Sequence, residues 1–417
     1  MVRGIIDFWI NPTFRHYEIV NIFFYGIALC FGALLGSFVS VLVIASAVYC
    51  SLQLAIGNLR WALPDPVNKV FFALCGFFAA ELIAALANPT ITALNEVSEN
   101  IPLLGLAGLY SVTFVDRQRL LNAVEVSALA ASMGALVALL LFFADESRPA
   151  LAAGNASVLA LLGGIIYVFN VGTVFRRKNR MSLTFIAAAL AAAYIVILTG
   201  TRAMWPVLII TPFLGLLIFS SRRAILFGLP IVFLTVAVMA TLGLRTSERI
   251  GARISALETD IFAISKGDRS RSVGKRLQIY EAGYELFKEK PLLGYGPGNE
   301  RLEIAAKTGE NGAESVAFSH AHNAVINVAL RSGLMGVVAL LAVLFTPLVL
   351  AFKARKDDVG WAGFYALTAI LVVYLCSGTV GLALGQDIHD TVYMTGICYG
   401  LYLVFGRTPA PANDPRR

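Results

Sequence analysis

The sequence specifies an all-α protein: a polytopic transmembrane helical bundle of about twelve spans, interrupted by one large, partly helical external loop. Three features carry this expectation. Hydrophobic residues fill 58% of the 417 positions and charged residues 14%, against about 25% charged in soluble globular chains, and mean hydropathy is +0.75. The apolar residues fall in runs near the roughly 20 residues a helix needs to cross a hydrocarbon core of about 30 Å. Lys and Arg cluster in short segments between those runs, the pattern of a topology signal, so the net charge of +7 does not mark a nucleic-acid surface.

Spans are expected near 18–36, 38–57, 67–87, 101–115, 122–143 and 156–175, then near 181–200, 203–219, 224–243, 322–352, 361–381 and 391–406. The first pair is split at Gly32, Gly36 and Ser37 because that run is too long for one crossing. Arg3 and Arg15 precede the first run, but no small-residue cleavage site follows, so it reads as a retained span. The cations sit at Arg60 and Lys69, Arg117 and Arg119, Arg176 to Arg180, Arg222-Arg223, Lys353 to Lys356, and Arg407 to Arg417. These fall in alternate loops, which are therefore cytoplasmic together with both termini. The loops near 88–100, 144–155, 200–202, 244–321 and 382–390 are then outside. The chain divides into an N-terminal bundle (1–243), the large loop (244–321), the C-terminal spans (322–406) and a tail (407–417). All five cysteines, Cys30, Cys50, Cys75, Cys376 and Cys398, lie in apolar segments, so no disulfide framework or cysteine metal site is expected.

The loop 244–321 is large enough to carry a site. In its first part Arg245, Arg249 and Arg253 recur every four residues, with Ile250, Ile254, Leu257 and Ile261 on another face, which predicts an amphipathic helix on the membrane surface. The arginines there either anchor the loop on anionic headgroups or touch substrate. Leu277, Tyr280, Tyr284 and Phe287 predict a second helix over 275–288, ending before Pro291. The Gly- and Pro-rich stretch 291–299 is a turn, whose backbone amides are candidates for holding a phosphate.

Among the histidines, His320, His322 and His389 map outside and His16 inside. In Phe318-Ser-His-Ala-His-Asn323, Ser319 is a candidate N-cap, which would put His322 in the first turn of the next span, where the helix dipole favours a neutral imidazole able to act as a base. The other reading makes these histidines interfacial residues wetting a helix end. A zinc site finds no third ligand at convincing spacing. Arg202 stands alone between two long apolar runs, where an ionisable residue is costly and usually functional unless it snorkels. Arg276, at the start of the second loop helix, is either solvated or anion-binding. Asp387, His389 and Asp390 either cap a helix or add a second base or an acceptor contact.

His322-Asn323, nine residues and then Gly333-Leu334-Met335-Gly336 resemble the His-Asn-x9-Gly-x-x-Gly signature of O-antigen ligases. Arg276 with Pro291-Leu-Leu-Gly-Tyr-Gly296 resembles the Arg…Pro-Leu-x-Gly-x-Gly segment of the same superfamily, and Thr199-Gly-Thr-Arg202 its earlier Ser/Thr-Arg element. The resemblance covers about 180–350 by motif and the whole chain by topology. It implies a membrane glycosyltransferase of lipopolysaccharide assembly, in the inner membrane with its loop and site in the periplasm. The donor would be an undecaprenyl-pyrophosphate-linked glycan and the acceptor a hydroxyl of lipid A–core, with membrane lipids around both and no cofactor. His322 matches the essential histidine, and Arg202 and Arg276 the arginines that engage the pyrophosphate. His320, Asn323, Arg245, Arg249, Asp387, His389 and Asp390 are secondary candidates.

The chemistry agrees. A pyrophosphate leaving group needs charge stabilisation more than protonation, and arginine forks suit it. The acceptor hydroxyl must lose a proton, and histidine, with a reference pKa of about 6.5, takes one near neutral pH. A single displacement inverts the anomeric carbon, and no acidic cluster suggests a metal requirement. An O-antigen polymerase uses the same donor, and a protein O-oligosaccharyltransferase belongs to the same superfamily. A transporter explains the spans without a reaction, but should carry polar, broken helices at mid-membrane.

Overall fold

The computed structural model describes residues 14–57, 63–143, 146, 148–177, 182–219, 272–309 and 321–406, with a few single positions between 230 and 266. Helices account for the regular structure of these residues, and no strand occurs among them. The chain runs through α1 (Phe14–Cys30), the helical turn α2 (Gly32–Leu35), α3 (Phe38–Ala55), α4 (Asp65–Ala87), α5 (Ile91–Glu99) and α6 (Leu106–Ser111). It continues with α7 (Arg117–Phe142), α8 (Ala156–Arg176), α9 (Ser182–Leu198) and α10 (Trp205–Phe219). After the loop helices α11 (Ser272–Glu289) and α12 (Glu300–Gly309) come α13 (Ala324–Ala354), α14 (Asp358–Gly378) and α15 (Asp387–Phe405).

Among the described residues six segments are long and apolar enough to cross a membrane: Asp65–Ala87, Arg117–Phe142, Ala156–Arg176, Arg202–Phe219, Ala324–Ala354 and Asp358–Gly378. Shorter apolar helices occupy Glu18–Cys30, Phe38–Cys50 and Ser182–Leu198. This is a multi-pass helical membrane protein. Large side chains such as Phe72, Leu141, Phe142 and Leu217 are exposed along these helices, which lipid solvates and water would not. α8 is almost wholly buried and forms the hub. α14 and α15 approach closely because Gly363 faces the Gly400 carbonyl, where a Cβ would lie 2.8 Å away, the small-residue contact typical of membrane helices.

One expected span is corrected. Residues 101–115 do not form a helix of spanning length: a 3-10 turn over Ile101–Gly105 leads into the six-residue α6. Pro102 accounts for part of the break. The segment is buried, with Gly105 against Met394 and the Val115 carbonyl accepting from Tyr402 Oη at 2.8 Å, so it descends along α15 as an irregular strand of turns. Exposed to lipid, such backbone would be untenable; inside protein it is allowed. The expected span 224–243 lies mostly outside the described residues, as do the amphipathic segment 245–261 and the tail.

The two ends of the bundle differ in charge. At one end Arg117 pairs with Asp357 at 3.0 Å and donates to the Leu403 carbonyl, Arg119 pairs with Glu18 at 2.7 Å, and Arg176 and Arg177 converge on Glu125. Cations grouped in alternate sequence loops therefore meet at one end. The opposite end holds α5, α11, α12 and the start of α13.

Candidate functional site

The site is built around a break in α13. Ser332 (φ −135°, ψ 16°) and Gly333 (φ 65°, ψ −158°) leave helical geometry, which frees carbonyls that a buried helix must satisfy elsewhere. The turn 291–299 supplies the partners. The Tyr295 amide donates to the Leu330 carbonyl at 2.8 Å and the Gly296 amide to the Arg331 carbonyl at 2.9 Å, while the Leu334 amide donates to Pro291 at 2.8 Å. Glycine is required where the backbones touch: a Cβ on Gly333 would meet the Leu292 and Leu293 backbone, and one on Gly294 the Leu330 carbonyl. Both glycines have positive φ, a region that L side chains rarely adopt. A phosphate-holding role for these amides is thereby corrected, because the N–H groups of Gly294, Tyr295 and Gly296 are already bonded within the protein.

Charged side chains surround this joint. Arg331 is only 2% exposed; its Nε donates to Glu81 at 2.9 Å and its Nη1 to Glu96 at 3.3 Å. Ser332 Oγ donates to the other Glu81 oxygen at 2.6 Å, and Gly336 leaves the space that Ser332 needs. Arg301 on α12 pairs with Glu96 at 2.8 Å. Glu300 is 1% exposed, and neither carboxylate oxygen has a hydrogen-bond partner among the described residues. Burial pushes its carboxyl up to about 7, against the pull of the Arg331 charge.

From this joint α11 runs back along the first half of α13. Gly283 lies against Ile326 and Leu330, and Ile279, Leu286, Tyr295, Ile304, Ala321 and Leu330 share a small core separate from the main one. At the far end Tyr280 Oη donates to the His322 carbonyl at 3.4 Å. Asn323 is the N-cap of α13, its side chain accepting from the Val325 and Ile326 amides. His322 therefore precedes the helix, instead of lying in its first turn behind a Ser319 cap. Its φ of 50° is one of two positive values at non-glycine residues among those described, a costly conformation that tends to persist at functional sites.

His322 Nδ1 lies 3.2 Å from the Val380 carbonyl. A carbonyl can only accept, so Nδ1 carries the hydrogen and Nε2 is the basic nitrogen of the neutral ring. Arg276 is exposed on α11 one turn before Tyr280, hence on the same helix face. Arg202 is exposed at the start of the 3-10 turn Arg202–Met204. That turn packs on α14, which leads at its end to Val380, so Arg202 belongs to the same end of the bundle. Tyr280 thus links the helix that carries Arg276 to His322, and Arg202 sits in a turn packed on α14.

The secondary candidates separate. Asp390 is fully buried and accepts from the Gly385 amide at 2.9 Å, and Asp387 accepts from the Ile388 amide at 2.7 Å. His389 is 5% exposed, with its carbonyl accepting from Tyr374 Oη at 2.6 Å. These are helix-start and interior positions. Asn323 serves as a cap, and His320, Arg245 and Arg249 lie outside the described residues. Sequence reasoning did not name Arg331, Glu96 or Glu300. The signal was a lone acid in one apolar span and a lone arginine in another, neither tolerable in lipid without a partner.

Residues 185–341 match the family model for O-antigen ligase, a stretch that holds Arg202, Arg276, His322, Gly333 and Gly336. The chain is similar to an O-antigen ligase of Escherichia coli (strain K12), 26% identical over 244 residues, or 57% of this chain and 53% of that protein; the match thus spans about half of the relative. It is also similar to an uncharacterized protein of Haemophilus influenzae, 22% identical over 298 residues, 69% of this chain and 73% of the relative.

Proposed function

Because residues 185–341 match the O-antigen ligase family model and the chain is similar to an O-antigen ligase, we propose that it belongs to that family and transfers a preassembled O-antigen glycan from undecaprenyl pyrophosphate to a hydroxyl of lipid A–core. The observation that carries this reading is the joining of His322 and the Arg276 helix through Tyr280 at one end of the bundle. In the proposed topology that end faces the periplasm from a bacterial inner membrane, with both termini cytoplasmic, so two lipid-linked substrates enter from the outer leaflet.

Arg276 and Arg202 take the donor pyrophosphate between them. Guanidiniums are always charged and present paired donors, so they stabilise the charge that grows on the leaving group as the bond from the anomeric carbon to the phosphate oxygen breaks. His322 Nε2 takes the acceptor hydroxyl proton as the acceptor oxygen bonds to that carbon, while the electron pair of the broken bond leaves with the pyrophosphate. The Val380 carbonyl holds the tautomer that makes Nε2 the base and stabilises the imidazolium once formed. One displacement inverts the anomeric centre. The two guanidiniums carry the charge role that a divalent ion would otherwise fill, so transfer is proposed to be metal-independent.

The test is transfer by purified protein from an undecaprenyl-pyrophosphate glycan to lipid A–core, wild type against His322→Ala. Capped lipid A–core from the wild type alone supports the proposal. Longer lipid-linked glycan without capping would mean a polymerase, and no change in either lipid would favour a transporter. A product that retains the donor's anomeric configuration would exclude the single displacement.

A further inference from the structure

We propose that Arg331 is a positioning residue for the transfer reaction, setting where His322 and Arg276 stand relative to the rest of the bundle. The inference rests on the ligase reading for the reaction, but its structural content is independent of it. α11, the turn 291–299 and the first half of α13 form one unit: joined at the break by the three amide bonds at 2.8–2.9 Å, packed along Gly283, and closed at the far end by Tyr280 and His322. Two of the three candidate chemical groups, His322 and Arg276, ride on this unit. Its buried ionic anchor to the surrounding helices sits at the break, where Arg331 and Ser332 hold Glu81 of α4 and Arg331 also reaches Glu96 of α5; less buried bonds join Lys290, Gly294 and Asn299 to Asn88 and Thr90 between those helices.

The geometry needs the arginine fork. Nε engages Glu81 while Nη1 engages Glu96, so one planar group fixes α13 to two helices at once; the single ammonium of a lysine keeps the charge but not this fixed two-point span. The guanidinium also packs on Gly385, where a Cβ would lie 3.2 Å from Nη1, in the segment that leads into α15. Arg331 thus ties the His322 unit to α4, α5 and the α14–α15 connection. About 1 Å of misplacement at a reacting group can cost about 10²-fold in rate.

The experiment pairs a distance with a rate. Spin labels replace the exposed Tyr284 on α11 and Leu86 near the end of α4, in a background lacking the half-buried Cys75 and Cys376. The label distance and the transfer kinetics are then compared for Arg331 and Arg331→Lys. The proposal expects a shifted or broadened distance, together with kcat per folded molecule lower by about 10²-fold and acceptor KM little changed. An unchanged distance overturns it, whatever the rate, and so does a shifted distance with wild-type kcat. If the wild type transfers no glycan yet the distance moves on substitution, the ligase reading fails while the anchoring of α11 by Arg331 stands. Should Arg331→Lys not fold, the double variant Glu81→Gln/Arg331→Gln removes both charges, keeps polar side chains at both positions, and is read by the same two measurements.

Discussion

Replacing Glu300 by Gln should stabilise the protein, and only at neutral and alkaline pH. The Glu300 carboxyl opens α12 at 1% exposure, with no hydrogen-bond partner on either oxygen among the described residues and Arg301 Nε no closer than 4.0 Å. Burial raises it from 4.5 to about 7. Between those values the native state binds more protons than the unfolded chain, so stability falls as pH rises through that window and stays low above it. A gap of that size corresponds to about 3 kcal/mol. Gln keeps the shape and never ionises. The variant should therefore match the wild type near pH 4.5 and exceed it by up to about 3 kcal/mol at pH 8. Unfolding in mixed anionic micelles, followed by tryptophan fluorescence at both pH values, reads the difference. A gap that does not grow with pH, or a wild type that is the more stable at pH 8, would show that Arg331 stabilises Glu300 as an anion and would refute the reasoning.

Other perturbations separate chemistry from scaffold. His322→Ala should lower kcat by about 10²–10⁴-fold while leaving thermal stability nearly unchanged, as transfer assays and melting curves would show. Arg276→Lys, measured in the same assay, should cut kcat by about 10²-fold through loss of the paired donors. Gly333→Ala forces a side chain into a conformation open to glycine and against the Leu292 backbone. It should cost about 3 kcal/mol or more and expose the Tyr295 and Gly296 amides to hydrogen exchange. Asn323→Ala removes the α13 cap and should cost about 1 kcal/mol, with a smaller kinetic effect than His322→Ala.

The sequence made the spanning helices legible because lipid imposes one length and one composition on them, and α4, α7, α8, α13 and α14 begin and end within a few residues of their expected positions. Residues 101–115 were misread because hydropathy reports burial in apolar surroundings and not helical continuity; a broken segment is equally apolar when protein surrounds it. The second loop helix was legible from the helical spacing of Tyr280, Tyr284 and Phe287, but not its packing face: Tyr284 is exposed, and Ile279, Ala282 and Leu286 are the buried residues, with Gly283 against α13. The turn 291–299 was recognised as a turn, but its partner was not, because amide-to-carbonyl pairing across about 35 residues of sequence leaves no side-chain trace. Arg331 escaped notice for a related reason: its meaning depends on Glu81, 250 positions away.

These contacts give the spacing from His322-Asn323 to Gly333 and Gly336 a structural meaning. The histidine must precede the helix, so that its carbonyl meets Tyr280 on one side and its ring meets Val380 on the other; the asparagine must follow at once, because it caps the helix that begins there. Nine residues later the helix must break, since that is where the turn at the end of α11 arrives with its amides. One residue more or fewer between cap and break would rotate the break by about 100° around the helix, turning the Leu330 and Arg331 carbonyls away from Tyr295 and Gly296 and the Arg331 side chain away from Glu81. The spacing measures the length of α11 against α13, and the chemistry proposed for His322 depends on that measurement.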